Sequence, residues 1–349
     1  MRRIKEKWKL TEAQVYCGQA CGCGAACARM YRYKGDEKQM KALVYNGKTA
    51  EYRTDYPKPV PKEGESLVKI LLAAVCNTDK EVLAGYKPDF TGVMGHEFVG
   101  IVEVSDRPEL VGKRVVGELN EACGHCIYCR TGRPTHCSTR KVIGLNEKDG
   151  CFAEYMTIAT ELLHPVPDEL ETERAIFTEP LAAAVELTTQ VHFDVKKNCA
   201  VIGDGRLALM ITEVLSLYGM DLTVIGHHME KLERFAPYAD VTTEGEPEGY
   251  EYVVDATGRA EGLKSAMRYV RKKGTIVLKS TYAGNASINM SEVVVNELTL
   301  VGSRCGPFEP ALKLLKRRLI DLPEIELHEL ADHEAAFSSR AFKAGFRFC

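Results

Sequence analysis

From Glu171 onward the chain alternates short, wholly apolar runs with helix-like stretches, and that rhythm leaves few folds open. The apolar runs are CAVIG (199–203), DLTVIG (221–226), YEYVVDATG (250–258), GTIVLKS (274–280) and ELTLVGS (297–303). Between them lie amphipathic segments such as RLALMITEVLSLYG and GLKSAMRYVRKKG. A strand that is apolar on both faces must be covered on both faces, and intervening helices do this in a parallel, doubly wound sheet. Residues 40–170 read differently. Runs such as LVKILLAAV, FVGIVEV and KRVVGEL are broken by Gly and Pro, which indicates a β-rich domain. The expected class is therefore α/β: a β-rich domain over 40–170, a doubly wound domain over 171–304, and a closing segment over 305–349 with one basic helix, PALKLLKRRL.

A chain of 349 residues is long enough for two domains with substantial cores. The net charge of −3 argues against a dedicated nucleic-acid binder. No apolar run approaches the roughly 20 residues of a membrane-spanning helix, and the basic N-terminus lacks the apolar stretch of a signal peptide. The 13 cysteines of a non-secreted chain point to a reducing compartment with metal sites, so a cytoplasmic location is expected. Residues 1–39 hold nine Lys/Arg and four Asp/Glu, about +5, against −8 for the rest. They read as an appended, flexible extension. Its Cys17, Cys21, Cys23 and Cys27 are spaced three, one and three apart, unlike common zinc ligands.

The strand CAVIG runs into Gly203-Asp204-Gly205-Arg206-Leu207-Ala208 and then a helix. This is G-x-G-x-x-A where a dinucleotide fingerprint belongs. Gly203 permits the tight turn, Gly205 lets the backbone approach a pyrophosphate, and Ala208 allows close packing. The next strand ends at Gly226-His227-His228, where an NAD site usually carries an acid for the ribose 2′-hydroxyl. Gly226 leaves room for a 2′-phosphate, with His227, His228 and Lys231 as donors, so NADP is expected over NAD.

Two further groups suit zinc. Cys123, Cys126, Cys129 and Cys137 lie within fifteen residues, and four thiolates can close a tetrahedral shell with no open position, a structural site. Cys76-Asn77-Thr78-Asp79 follows an apolar strand, and His96-Glu97 comes twenty residues later. Cys76 and His96 offer a sulfur and a nitrogen, and a catalytic zinc needs about one more protein ligand plus an open position. Glu97 or Glu179, in TEPLAAAVEL, could complete it. The Thr78 hydroxyl can relay a proton, and Asp79 can accept the second ring N–H of His96 and fix its tautomer.

Taken together, C-x-T-D, GHE, the cysteine quartet, EPLA and the Gly-rich turn resemble the zinc-dependent medium-chain alcohol dehydrogenases, most closely their sorbitol/threonine dehydrogenase branch. The resemblance runs from Met40 to near the C-terminus. It implies a GroES-like catalytic domain, a Rossmann domain and a C-terminal segment returning to the first. It implies two zinc ions, one catalytic and one structural, with Thr257, Gly258, Gly302, Ser303 and Arg304 near the cofactor. It also implies a homodimer or homotetramer acting on a small alcohol or carbonyl substrate. The alternatives are a zinc-independent quinone or enoyl reductase and a catalytically silent nucleotide-binding protein. The 310 residues from Met40 are fewer than typical members have, and the shortening falls in the cofactor domain and the last segment.

Overall fold

The computed structural model describes residues 38–279, 281 and 285–348. The N-terminal cluster Cys17–Cys27 lies outside the described residues. In chain order the first lobe comprises β1 (Gln39–Tyr45), β2 (Ala50–Pro57), β3 (Glu65–Ala74), α1 (Asn77–Leu83), β4 (Gly92–Val93), β5 (Glu97–Val104) and β6 (Arg114–Gly117). It continues through β7 (Asn120–Glu121), α2 (Ile127–Arg130), β8 (Lys141–Ile143), β9 (Glu147–Lys148), β10 (Tyr155–Ala159) and β11 (Leu163–Pro165). Two helices follow, α3 (Thr172–Ala175) and α4 (Thr178–Gln190). The second lobe then runs β12 (Asn198–Ile202), α5 (Arg206–Ser216), β13 (Asp221–Ile225), α6 (Met229–Leu232), β14 (Asp240–Thr242) and β15 (Tyr250–Asp255). It closes with α7 (Ala260–Tyr269), β16 (Val270–Leu278), α8 (Met290–Val295), β17 (Thr299–Gly302) and α9 (Phe308–Lys316). The chain ends on β18 (Ile325–His328), α10 (His333–Ser338) and β19 (Lys343–Arg347).

Strands β11-β6-β5-β3-β19-β18 form the main sheet of the first lobe, with β10 also on β3. Its central strand, ESLVKILLAA, is buried along almost its whole length, so it must be packed on both faces. The late strand β19 lies antiparallel to β3, with Phe346 opposite Ala73. Residues separated by most of the chain thus become neighbours beside Cys76. A core of aromatic and aliphatic side chains, including Tyr45, Met94, Phe152 and Phe346, fills this lobe.

The second lobe is a six-stranded sheet in the order β14-β13-β12-β15-β16-β17, parallel at every pairing, as expected for a doubly wound fold. The strand order reverses between β12 and β15, and ligands of such sheets bind outside the carboxyl ends of the strands at that point. Helix α4 packs on α5 and α9. The connection from β14 to β15 is only residues 243–249, with no helix.

Candidate metal and cofactor site

Cys76 sits at the N-cap of α1, immediately after the apolar strand β3. Asp79, fully buried, accepts the Cys76 backbone N–H through Oδ2 at 2.8 Å and faces His96 Nδ1 through Oδ1 at 3.4 Å. One carboxylate therefore caps the helix and orients the imidazole, leaving the other ring nitrogen for the Cys76 side. His96 is placed by Gly95, whose φ of +90° suits glycine, and a Cβ there would lie 2.4 Å from the Phe152 ring. Thr78 Oγ1 lies 3.7 Å from Cys76 Sγ.

The ligand atoms of Cys76, His96 and Glu97 all lie within 4.8 Å of one another. Burial opposes charging of His96, but Asp79 and Cys76 outweigh it and hold the imidazole well above its ordinary range. A cluster that favours positive charge on a buried ring is one that suits a cation. Glu97 is itself buried and forms a close ion pair with buried Lys343 of β19. Glu179, at the start of α4, stands outside that cluster. Loss of solvation, then the nearby charge of Glu97, hold its carboxyl above the ordinary range. Of the two carboxylates left open by the sequence, Glu97 is the nearer in this arrangement.

The cysteine quartet is built locally. Cys123 follows β7, Cys126 caps α2, Cys129 lies within it, and Cys137 precedes β8. Their sulfurs also fall within 4.8 Å of one another, with Cys126–Cys129 at 3.4 Å and Cys123–Cys129 at 4.0 Å. A tetrahedron of Zn–S bonds of about 2.3 Å has edges near ~3.8 Å, whereas a disulfide needs about 2.05 Å. All four thiols are free, and the spacing fits a metal better than bridges. The backbone amides of Cys129 and Ser138 hold the Cys126 thiol down, to about 5.

At the second lobe, Gly203 has φ of +128°, and a Cβ there would meet Ala256 O at 2.9 Å. The glycine is required by both the turn and the close approach of β15. A cavity of about 440 Å³ opens at this turn, lined by Gly203, Asp204, Gly205, Gly226, His228 and Thr257 among others. His227 and Lys231 also line it. Arg206 points elsewhere, donating to Val75 O at 3.3 Å, and lines a recess of about 230 Å³ with Lys80, Lys231, Arg234 and Arg340. Leu207, Gly258, Gly302, Ser303 and Arg304 stand outside the larger cavity. Arg304 instead donates to Thr135 O in the quartet loop.

The space directly beside Gly226 is taken by a neighbouring side chain. A Cβ on Gly226 would lie 2.9 Å from Asp204 Cβ and 3.3 Å from its Oδ2. Asp204 stands where a side chain on residue 226 would begin, and it engages His227 and His228.

Several polar residues escaped sequence reasoning. Lys343 is one. Lys279, at the end of β16, is buried and donates to Ser303 Oγ at 3.1 Å, and burial pushes it down to about 8. Asn120 donates to Cys305 Sγ at 3.3 Å. Only Lys279's position, a charge inside an otherwise apolar strand run, was a signal in the sequence.

Residues 62–168 match the family model for the alcohol dehydrogenase GroES-like domain, and residues 212–317 match that for zinc-binding dehydrogenases. The chain belongs to the zinc-dependent medium-chain alcohol dehydrogenases. The dehydrogenase is 29% identical to a sorbitol dehydrogenase of Halalkalibacterium halodurans, over 88% of this chain and 97% of that one. Its fold is shared with an Escherichia coli alcohol dehydrogenase solved with NADH (TM-score 0.81, 24% identity, 89% of this chain and 100% of that chain). It is equally shared with a Sinorhizobium meliloti zinc-binding dehydrogenase bound to NADP (TM-score 0.80, 24% identity, 89% and 100%).

Proposed function

We propose that this dehydrogenase transfers a hydride between an alcohol, a polyol or secondary alcohol, and a nicotinamide dinucleotide, with one catalytic and one structural zinc. The observation that carries the reading is the buried Cys76–His96–Glu97 cluster, oriented by Asp79 and held in the same unit as an open Gly-rich turn. The likeness to a sorbitol dehydrogenase supports the substrate class.

Cys76 and His96 would hold the catalytic zinc with Glu97, and Glu179 faces them as the alternative carboxylate. When bound, zinc polarises the alcohol oxygen and the nicotinamide accepts the hydride. The chain supplies the rest. Asp79 takes the Nδ1 side of His96, so the other ring nitrogen is the one presented to the metal. The Thr78 hydroxyl takes the substrate's proton toward solvent. Lys343 balances the charge of Glu97 in a setting where an unpaired carboxylate would be costly. Cys123, Cys126, Cys129 and Cys137 would hold the second zinc and fix the loop that contacts Arg304.

Free thiols at every described cysteine support a reducing, cytoplasmic setting, and no described helix is long and apolar enough to cross a membrane. The edge of β17, unpaired among the described residues, and the exposed Met290, Val294 and Val295 of α8 support pairing with a second copy, hence a dimer or tetramer.

Metal analysis with a dinucleotide-linked screen over polyols, secondary alcohols and amino alcohols tests the reading. Two zinc ions per chain and alcohol-dependent dinucleotide reduction are expected. One zinc per chain, with reduction of quinones or enones in place of alcohol turnover, would sink it in favour of a zinc-independent reductase.

A further inference from the structure

In doubly wound dinucleotide folds the acid that bonds the adenosine ribose stands at the end of the second strand. Here that position is Gly226, yet a carboxylate reaches the same place from another part of the backbone. Asp204, the second residue of the Gly-rich turn, turns its side chain toward the end of β13. Its Oδ2 accepts the His227 N–H at 3.0 Å, the His228 N–H at 3.1 Å and the His228 ring Nδ1 at 2.8 Å. Lys231 Nζ stands 3.9 Å from its Oδ1. The carboxylate lines the 440 Å³ cavity together with Gly203, Gly205 and Gly226.

We propose that Asp204 is the ribose-recognising acid of this dehydrogenase, that it makes the enzyme NAD-selective, and that Gly226 is its steric complement. Gly226 and Asp204 answer to one constraint. A Cβ on residue 226 would lie 2.9 Å from Asp204 Cβ and 2.9 Å from Leu232 Cδ2, so residue 226 stays bare while Asp204 carries the acid. The charge is also settled. Partial burial disfavours ionisation, but the His228 ring, the two backbone amides and Lys231 hold Asp204 below the ordinary carboxylate range. A neutral 2′-hydroxyl can donate to that carboxylate. A 2′-phosphate would set a second anion against it, and the donors it needs, His228 and Lys231, are already turned onto Asp204.

The inference rests on the reading of this turn as a dinucleotide site, so its test avoids alcohol turnover. Equilibrium binding of NADH and of NADPH is followed by nicotinamide fluorescence, with no substrate present. NADH is expected to bind the tighter, by roughly tenfold to a hundredfold, the value of a hydrogen bond to a charged group. Asp204→Asn should shrink that ratio by about tenfold or more. Gly226→Asp alone should lower the melting temperature, because its side chain collides with Asp204 and crowds Leu232. Asp204→Gly combined with Gly226→Asp moves the acid to the strand end and should restore the NADH preference. Tighter binding of NADPH by the unaltered chain would overturn the inference and point to the cationic recess of Arg206, Arg234 and Arg340 as the phosphate site. A ratio left unchanged by Asp204→Asn in a folded protein would overturn it too. If neither dinucleotide binds, the inference and the dinucleotide reading fall together. A retained NADH preference without any alcohol turnover would sink only the proposed chemistry.

Discussion

The two cysteine-bearing clusters are built in opposite ways. The quartet Cys123–Cys137 is gathered by one loop of a small three-stranded sheet, β7-β8-β9, and three of its four thiols are only partly buried. The Cys76–His96–Glu97 cluster is gathered by the main sheet, with Asp79 beneath it and Lys343 arriving from the last strand, and all but Cys76 are buried. The two ways of building suit two different roles. A closed shell needs only ligand spacing, which a short loop provides. A reactive position needs charge placed inside a packed lobe, which only long-range strand pairing provides.

The contrast between the two clusters should show most strongly at Cys76. Cys76→Ser should lower turnover by at least roughly a thousandfold, since Lewis-acid stabilisation is worth several kcal/mol, and should leave the melting temperature nearly unchanged. Steady-state rates beside a thermal melt measure both. Unchanged turnover of every accepted alcohol would end the zinc mechanism. Next comes Cys129→Ser, with the reverse pattern. It should cost one zinc per chain and destabilise the quartet loop by several kcal/mol, seen as new protease cuts between residues 121 and 141. Activity should fall only as far as the loop's hold on Arg304 is lost. Undiminished zinc content would remove the quartet's metal role. The smallest effect sharpens the contrast within the buried cluster. Lys343→Met leaves the Glu97 carboxylate buried without its cation and should cost about 3 kcal/mol in urea unfolding, whereas Lys343→Arg should recover most of it. Equal stability in all three proteins would mean Lys343 does not hold Glu97.

What could be read from the sequence follows the same division. The doubly wound sheet was legible because its strands are apolar throughout and its helices are amphipathic. The Gly-rich turn and the quartet were legible because their residues are adjacent. Cys76 and His96 were legible as a pair of ligand types behind apolar strands. Lys343 was not, because its partner Glu97 lies on β5 and only the β19–β3 pairing brings them together. Gly226 was read as open space. A missing side chain does not show which neighbour takes its place, and the neighbour here, Asp204, lies one strand and one helix earlier. Lys279 and Asn120 were passed over because a polar residue within an apolar run has meaning only once its cavity exists.

The short connection from β14 to β15 has one more consequence. The two strands are three positions apart in the sheet, and Thr242 and Tyr250 stand at opposite ends of it, so roughly 22 Å separates them at the usual strand spacing and rise. Residues 243–249 can reach at most roughly 28 Å when fully extended. That leaves about 6 Å of reach, less than two extended residues, and the segment takes it up in the turn where Gly249 N–H donates to Glu246 O. Removing more than about one residue would pull Thr242 away from Ile225 and unzip β14.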